Sequence, residues 1–568
     1  MVAANARNIF RGVIFASTVA LAAVCFSPAL RFIDRAGDAG LNLPNTFGGR
    51  DAKSYLIETT GSGVAIFDFD GDGWNDVFIA NGTTLERTGG KPTIASHLYK
   101  NDGKGRFIAV SDQAGFTKEG WAQGVCVGDF DNDGHPDLMV TYYGVNALYR
   151  NLGNGRFADV TRKAGLPDTG TRWGAGCSFV DYDRDGYADL FAANYVDLDL
   201  AKTPKAGEDP SCNWKGMPVL CGPRGLPAAR NILHRNNGDG TFRDVSASAG
   251  ILKPGPRYGL GVAAADFDND GWPDIYVACD QTPSLLYRNL GNGTFEERGV
   301  EAGVAYNFDG RVQAGMGVAV ADYDGDGLLD IAKTNFSGDL PSLYKNEDGK
   351  FFTDVSREAG LGANQLLGWG VLFLDVDGDG RKDLVMANGH IYPEVDRVQQ
   401  SGERYRQKTL IYRNLGAGRF ADITNSSGPG FEPLRPARGM ASGDLDGDGR
   451  PEIAIVNMGE TPSLLKNTAA GFNRAAVRLI GTKSNRSAIG ARVSIEAGGV
   501  RQMDEVMSGG SYYSQNDLTL YFGLGGAETI GRLEVRWPSG GVQSWKGLPA
   551  NRSLTITEGQ AKPVSRAF

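Results

Sequence analysis

One nine-residue pattern returns seven times along this chain, and few folds can absorb such repetition. It reads DFDGDGWND from Asp68, DFDNDGHPD from Asp129, DYDRDGYAD from Asp181, DFDNDGWPD from Asp266, DYDGDGLLD from Asp322, DVDGDGRKD from Asp375 and DLDGDGRPE from Asp444. Successive starts lie 61, 52, 85, 56, 53 and 69 residues apart, which matches or exceeds the period of a four-stranded propeller blade, with the surplus taken up as insertions. A second phrase follows each of the first six copies: HLYKNDGKGRFIAV, ALYRNLGNGRFADV, ILHRNNGDGTFRDV, LLYRNLGNGTFEER, SLYKNEDGKFFTDV and LIYRNLGAGRFADI. It reads as a hairpin, two alternating apolar segments around an Asn/Gly turn. Apolar runs also flank the Asp-rich loop, as in GVAIFDFD and DVFIANG, so each unit holds about four strands, one blade. The expected fold is all-β, a seven-bladed β-propeller.

The seventh copy lacks its own final phrase, since LLKNTAAGFNR runs into different sequence. The missing piece stands at the other end: RFIDRAGDAGL, Arg31 to Leu41, superimposes on RFADVTRKAGL, Arg156 to Leu166, at Arg, Phe, Asp, Ala, Gly and Leu. An N-terminal strand that completes the last blade would close the ring and leave no open edge between first and last blades.

The loops carry acids at alternate positions around a glycine, as a hard-cation cage requires. First positions are Asp68, Asp129, Asp181, Asp266, Asp322, Asp375 and Asp444; third positions are Asp70, Asp131, Asp183, Asp268, Asp324, Asp377 and Asp446. Fifth positions are Asp72, Asp133, Asp185, Asp270, Asp326, Asp379 and Asp448; ninth positions are Asp76, Asp137, Asp189, Asp274, Asp330, Asp383 and Glu452. The backbone carbonyl at position seven (Trp74, His135, Tyr187, Trp272, Leu328, Arg381, Arg450) adds another oxygen. A cage of roughly six to seven oxygens suits Ca²⁺ better than Mg²⁺, and no recurring His or Cys favours zinc. Asp-Gly clusters also make ordinary turns, but a turn does not need four acids, which would repel without a cation. A helix-loop-helix EF-hand requires Glu at position twelve and helical flanks, whereas these flanks read as strands. Up to seven Ca²⁺ are expected.

Calcium also changes what the net charge means. The formal charge of -9 would ordinarily mark an acidic surface that repels nucleic acid. Of 67 acids, 28 lie in the seven loops, and seven divalent ions would bring the full chain to +5.

At the N-terminus, Arg7 and Arg11 precede the apolar run GVIFASTVALAAVCF, short for a membrane span of roughly 20 residues but close to signal-peptide length. Ser27-Pro28-Ala29 supplies small residues for cleavage after Ala29, so residues 1–29 read as a signal peptide. Val24 before Cys25 fits lipidation poorly; the alternative is a retained anchor. After cleavage no stable membrane span is expected, and the location is secreted, periplasmic or cell-surface. Cys126, Cys177 and Cys279 lie on or end apolar runs and read as buried thiols. Cys212 and Cys221, in the polar insertion SCNWKGMPVLCGPRG, would staple a loop in an oxidising compartment.

These loops with their strand flanks resemble the FG-GAP/VCBS repeats of integrin α-chain propellers, whose calcium loops lie between the first two strands of a blade. GRFADVTRKAGL, with the NGH and CGPRG insertions, is similar to the cartilage acidic protein family and its bacterial relatives over about residues 31 to 470. From about Phe472, AVRLIGTKSNRSAIGARVSIEAGG, MSGGSYYSQNDLTLYFGLGG and LEVRWPSGG resemble the ASPIC/UnbV domain that follows that propeller. Tyr521 stands before FGLG where the resemblance implies His. The residues alone give about six alternating runs between Gly-rich turns, hence a small antiparallel β-sandwich-like domain. Expected boundaries are 30–470 for the propeller and 471–558 for the second domain, with 559–568 as a tail.

No nucleophile elbow, Walker loop, HExxH or dinucleotide fingerprint occurs. Of four His, His135 is a variable loop position, His97 and His234 precede or enter hairpin phrases, and His390 opens an insertion after the sixth loop. That insertion and the one holding Cys212 would build one face, where binding usually resides. The leading expectation is an extracytoplasmic binding or adhesion protein for protein or glycan partners, with no nucleic acid and with structural calcium. The alternative is an enzyme of a biosynthetic or degradative pathway with its site near His390, Tyr392 and Glu394. A weaker idea makes Trp214, Tyr512 and Tyr513 a sugar platform.

Overall fold

In the computed structural model, residues 30–87, 95–362, 365–397, 402–469 and 471–568 are described. The signal-peptide expectation therefore falls outside the described residues. No described helix is long and apolar enough to cross a membrane.

Each Asp-rich loop joins the first two strands of a four-stranded antiparallel unit. In the first, Val64–Phe67 runs into the loop, Asp76–Ile79 returns, and His97–Asn101 with Phe107–Ala109 forms the hairpin read from the second phrase. Among the described residues seven such units occur. Their first strands, Val64–Phe67, Trp121–Gly128, Arg172–Val180, Gly259–Ala265, Gly315–Ala321, Gly368–Leu374 and Ala437–Gly443, each neighbour the next, and the last neighbours the first. These strands are buried almost throughout because one face meets each adjacent unit. The chain is a closed propeller.

The N-terminal segment closes it. Phe32–Asp34 pairs antiparallel with Ser463–Asn467, Phe32 opposite Asn467, and becomes the outer strand of the seventh unit. The pairing is anchored by Phe32, which is buried and meets Phe431 edge-on at 5.1 Å.

The Asn of each Tyr/Leu/His-Lys/Arg-Asn phrase turns out to be more than a turn residue. Its side-chain amide donates to the carbonyl at loop position two of the preceding unit: Asn151 to Phe69, Asn236 to Phe130, Asn289 to Tyr182, Asn346 to Phe267, Asn414 to Tyr323, Asn467 to Val376 and Asn101 to Leu445. All seven bonds are 2.7–2.9 Å and the cycle returns to its start. A loop carbonyl that would otherwise be buried without a partner is satisfied at every seam.

The C-terminal domain packs two four-stranded sheets face to face. One sheet contains a parallel pair, Asn473–Ile480 beside Arg552–Thr557, so the sandwich is not wholly antiparallel. Val564–Ala567, within the expected tail, pairs with Arg552–Thr557 as an edge strand of that sheet.

The cysteine expectation needs one correction. Cys126 and Cys177 are not free thiols: they form a disulfide between the first strands of adjacent units, Cα atoms 5.8 Å apart. They lie 51 positions apart in sequence, and packing of the second unit's first strand against that of the third brings them side by side. Cys212 and Cys221 are bridged as expected, and Cys279 is a buried thiol.

Candidate cation loops and ligand face

Within each loop the acids have different duties, set by what the backbone offers them. The position-nine carboxylate accepts the N–H of position two, as Asp76 does from Phe69, Asp137 from Phe130, Asp189 from Tyr182 and Glu452 from Leu445. Its second oxygen accepts the N–H of the third-strand Asn, at 2.7 Å from Asn101 to Asp76. The position-one carboxylate accepts the loop glycine amides, at 2.8 Å from Gly71 and 2.9 Å from Gly73 to Asp68. Position five receives the N–H of position seven, as Asp72 does from Trp74 and Asp133 from His135. The side chain at position seven covers the hairpin turn of its own unit: His135 lies against Gly153, and Tyr187 against Gly238. That packing is the role the structure shows for His135.

Carboxylate oxygens of Asp68, Asp70 and Asp76 lie within 4.8 Å of one another, as do those of Asp129, Asp131 and Asp137, of Asp181, Asp183 and Asp189, and of Asp266, Asp268 and Asp270. The residues fit a hard cation by a further test. Oδ1 of Asp70, Asp131, Asp181, Asp183, Asp266, Asp377 and Asp446 is buried with no hydrogen-bond partner, which is costly for a carboxylate unless a cation takes it. Burial pushes Asp76 and Asp330 up to about 8, lifts Asp129, Asp181 and Asp375 to about 7, and sends Asp137, Asp189, Asp274, Asp383 and Glu452 well above the carboxylate range. These are the shifts of acids crowded out of water, and a bound cation reverses them.

The sequence reading missed a partner that every loop has. The basic residue before the signature Asn reaches the acids of its own unit: Lys100 to Asp70 and Asp72, Arg150 to Asp131 and Asp133, Arg235 to Asp183 and Asp185, Arg288 to Asp268 and Asp270. Lys345 with Asp324 and Asp326, Arg413 with Asp377, and Lys466 with Asp446 and Asp448 complete the set. The signal was in the repeated Lys/Arg of the hairpin phrase.

The C-terminal domain sits on these loops, and its signature phrases supply the grip. In SNRSAIGARV, Ser487 accepts the Asp129 N–H at 2.9 Å, the Arg486 N–H donates to Asn132, and Arg492 donates to the Asp266 carbonyl at 2.7 Å. The Pro538 carbonyl of WPSG accepts from Arg184 at 2.7 Å, and Arg536 pairs with Asp266 at 2.5 Å. Tyr521, where the resemblance implied His, accepts the Asp444 N–H at 3.1 Å and donates to Asp517.

From this domain the segment Met507–Asp517 enters the propeller's central channel. Val125 N–H donates to the Tyr513 carbonyl at 2.9 Å, Val318 N–H to that of Ser511 at 2.8 Å, and Ile66 N–H to that of Gln515 at 3.1 Å. Ser178 donates to the Ser508 carbonyl, and the Asp517 N–H to that of Ser442. Gly63 makes room: a Cβ there would collide with the Tyr513 carbonyl. Tyr512 and Tyr513 stack at 4.0 Å, wholly buried, with Trp369 4.8 Å from Tyr512. They plug the channel and cannot be a surface sugar platform.

At the opposite mouth the two insertions meet, as expected. Trp214, on the hairpin Asn213–Trp214/Met217–Pro218 held by Cys212–Cys221, packs at 5.2 Å from Phe336, 6.0 Å from His390 and 6.3 Å from Tyr392, and donates to Glu403 at 3.1 Å. Burial lowers His390 to about 4, and its Nδ1 accepts the Tyr392 N–H. With no exposed surface, His390 is a packing residue under Trp214 and not an accessible acid or base. Beside it opens a cavity of about 640 Å³.

Seven repeated units, Asp-rich loops between first and second strands, and a sandwich seated on those loops define the class: an FG-GAP-type β-propeller with a C-terminal cap. The comparisons agree. The FG-GAP-like repeat model matches residues 68–140, 129–192, 219–277 and 266–332, and the ASPIC and UnbV model matches 481–563. The chain is homologous over most of its length to cartilage acidic protein 1, 26% identical over 85% of this chain and 71% of the Mus musculus protein, and 26% over 84% and 70% for Xenopus tropicalis. Among solved structures, BBS1N in complex with ARL6DN aligns over 75% of this chain and 95% of its own at 12% identity and a TM-score of 0.40. Saccharomyces cerevisiae Sqt1 aligns over 75% and 100% at 10% and 0.36.

Proposed function

We propose that this chain is an exported, calcium-loaded propeller that binds a protein or glycan partner through its insertion-bearing face. The observation that carries this is the division of labour between the two faces. The cap grips the loop-bearing side at several units and fills the channel, which favours the mouth built by the two insertions as the face that meets a partner. Two disulfides support an oxidising destination, because the cytosol keeps such pairs reduced.

In each loop the carboxylates at positions one, three, five and nine, with the position-seven carbonyl, would hold the ion. When bound, Ca²⁺ supplies positive charge that neutralises the crowded acids. The protein's own groups do the rest. The loop amides orient position one, the position-two and Asn amides fix position nine, and the third-strand Lys or Arg takes up remaining negative charge at positions three and five.

Replacing the exposed hairpin 213–218 by a Gly/Ser turn of equal length should abolish capture of partners from a panel of exported proteins and glycans, while Val542→Ala on the cap leaves capture intact. Full capture by the hairpin variant would overturn the assignment of the face. Cytoplasmic retention with reduced cysteines would overturn the exported state.

A further inference from the structure

We propose that the mouth cavity is a receptor for the end of a neutral saccharide. This rests on reading the insertion-bearing face as the ligand face. A volume of about 640 Å³ lies within the range of small-ligand sites, and its lining pairs flat aromatic walls with a few polar groups. Trp214, half-buried at the opening, supplies the accessible ring on which the C–H face of a pyranose packs, with Tyr392, Tyr195 and Trp369 buried behind it. Such rings alone would serve any apolar ligand, so the polar groups decide the class.

Asp280 is the decisive one. It is 8% exposed and lines the cavity, with Oδ2 held by the Tyr195 hydroxyl at 2.5 Å and Oδ1 without a partner. Oδ1 is closed off, so the carboxylate meets the cavity along its small remaining exposed edge, where it can accept from a sugar hydroxyl. Arg224 lines the same cavity and offers donors to ring or hydroxyl oxygens.

Charge argues against the ionic alternatives. The acids Asp280 and Asp339 on the wall are balanced by Arg224 and by Arg438, which is wholly buried with its guanidinium 4.1 Å from the Trp369 ring. Arg438 donates to the carbonyls of Thr59, Gly389 and His390, so its positive charge has no acid among these partners. An ammonium ligand would find the aromatic walls but also these two guanidiniums; a carboxylate or phosphate would meet Asp280 and Asp339. A neutral polyol pays neither cost. The Cys212–Cys221 bridge holds Trp214 over the opening, so one wall is pre-positioned.

The test uses the full-length, calcium-replete protein, with tryptophan fluorescence and saturation-transfer NMR read against cellobiose, lactose, maltotriose and N,N′-diacetylchitobiose, and with choline and benzoate as charged probes. Saturable binding of at least one saccharide below about 10 mM is expected, with neither charged probe competing. Trp214→Ala should weaken that binding roughly tenfold or more, and Asp280→Asn, nearly the same in shape, should weaken it with the fold kept. No saccharide binding by folded protein that retains its calcium would overturn the proposal and leave the binding-protein reading standing with a protein partner. Choline or benzoate binding in place of a sugar, or saccharide affinity unchanged in both variants, would also overturn it.

Discussion

Truncating Tyr512 to alanine removes a ring that belongs to the cap but lies inside the propeller. The side chain is fully buried, 4.0 Å from Tyr513 and 4.8 Å from Trp369. Losing a buried aromatic and leaving its cavity costs about 3–5 kcal/mol, of which the ring contacts account for about 0.5–1.5 kcal/mol. Because the plug is seated by hydrogen bonds to several first strands, the loss falls first on docking of the cap, shifting that equilibrium roughly 10²- to 10⁴-fold. Hydrogen exchange reads this directly. The amides of Ile66, Val125 and Val318, bonded to plug carbonyls, should exchange faster by that factor, while the outer hairpins keep their protection. Val542→Ala, exposed on the cap, should stay within about 0.5 kcal/mol of the parent. A loss below about 1 kcal/mol, or unchanged exchange at those three amides, would refute the threaded plug.

Three further outcomes follow from single features. Phe32→Ala should cost about 3–5 kcal/mol and expose the amides of Ser463–Asn467 to exchange; unaltered protection there would mean that the N-terminal strand does not close the ring. Replacing Cys126 and Cys177 together by alanine removes a cross-link over 51 residues and should lower stability by about 4 kcal/mol in chemical denaturation, whereas no change would exclude the bridge. Burial raises Asp280 from 3.8 to about 6 in the folded protein, so its contribution to stability is full at low pH and is lost as pH rises through that interval. Asp280→Asn should therefore flatten the pH profile between those values by about 3 kcal/mol, and identical profiles would contradict the burial of that carboxyl.

The parts legible in sequence are those written repeatedly. The loops, the hairpins and the strand that closes the seventh unit announce themselves as copies, and the copies carry the same backbone duties in the structure. What escaped is long-range. The Asn of the hairpin phrase looked local because one of its bonds is local; its bond to the preceding loop needs the neighbouring unit packed against it, and for Asn101 the closed ring. The Cys126–Cys177 pair likewise joins strands of two units that only tertiary packing brings together. The basic residue beside that Asn was present in every quoted phrase, but strand spacing alone does not say that it reaches the acids. Tyr512 and Tyr513 carried no mark distinguishing a plug from a surface, since both call for aromatics beside glycine and serine. The insertions gathered at one mouth as expected, but the depth at which His390 lies depends on Trp214 folding over it.

Cation binding by the seven Asp-rich loops, with its stabilisation of the propeller, is what we propose here for the repeats. Calcium bound per chain, counted by equilibrium dialysis with elemental analysis and followed by thermal unfolding before and after EDTA, tests it most directly. Several Ca²⁺ per chain, up to seven, are predicted, with each loop filled at about 100 times its Kd contributing about 2.7 kcal/mol that chelation removes. A protein that binds no calcium and melts at the same temperature in excess EDTA would mean that the loops are not cation sites.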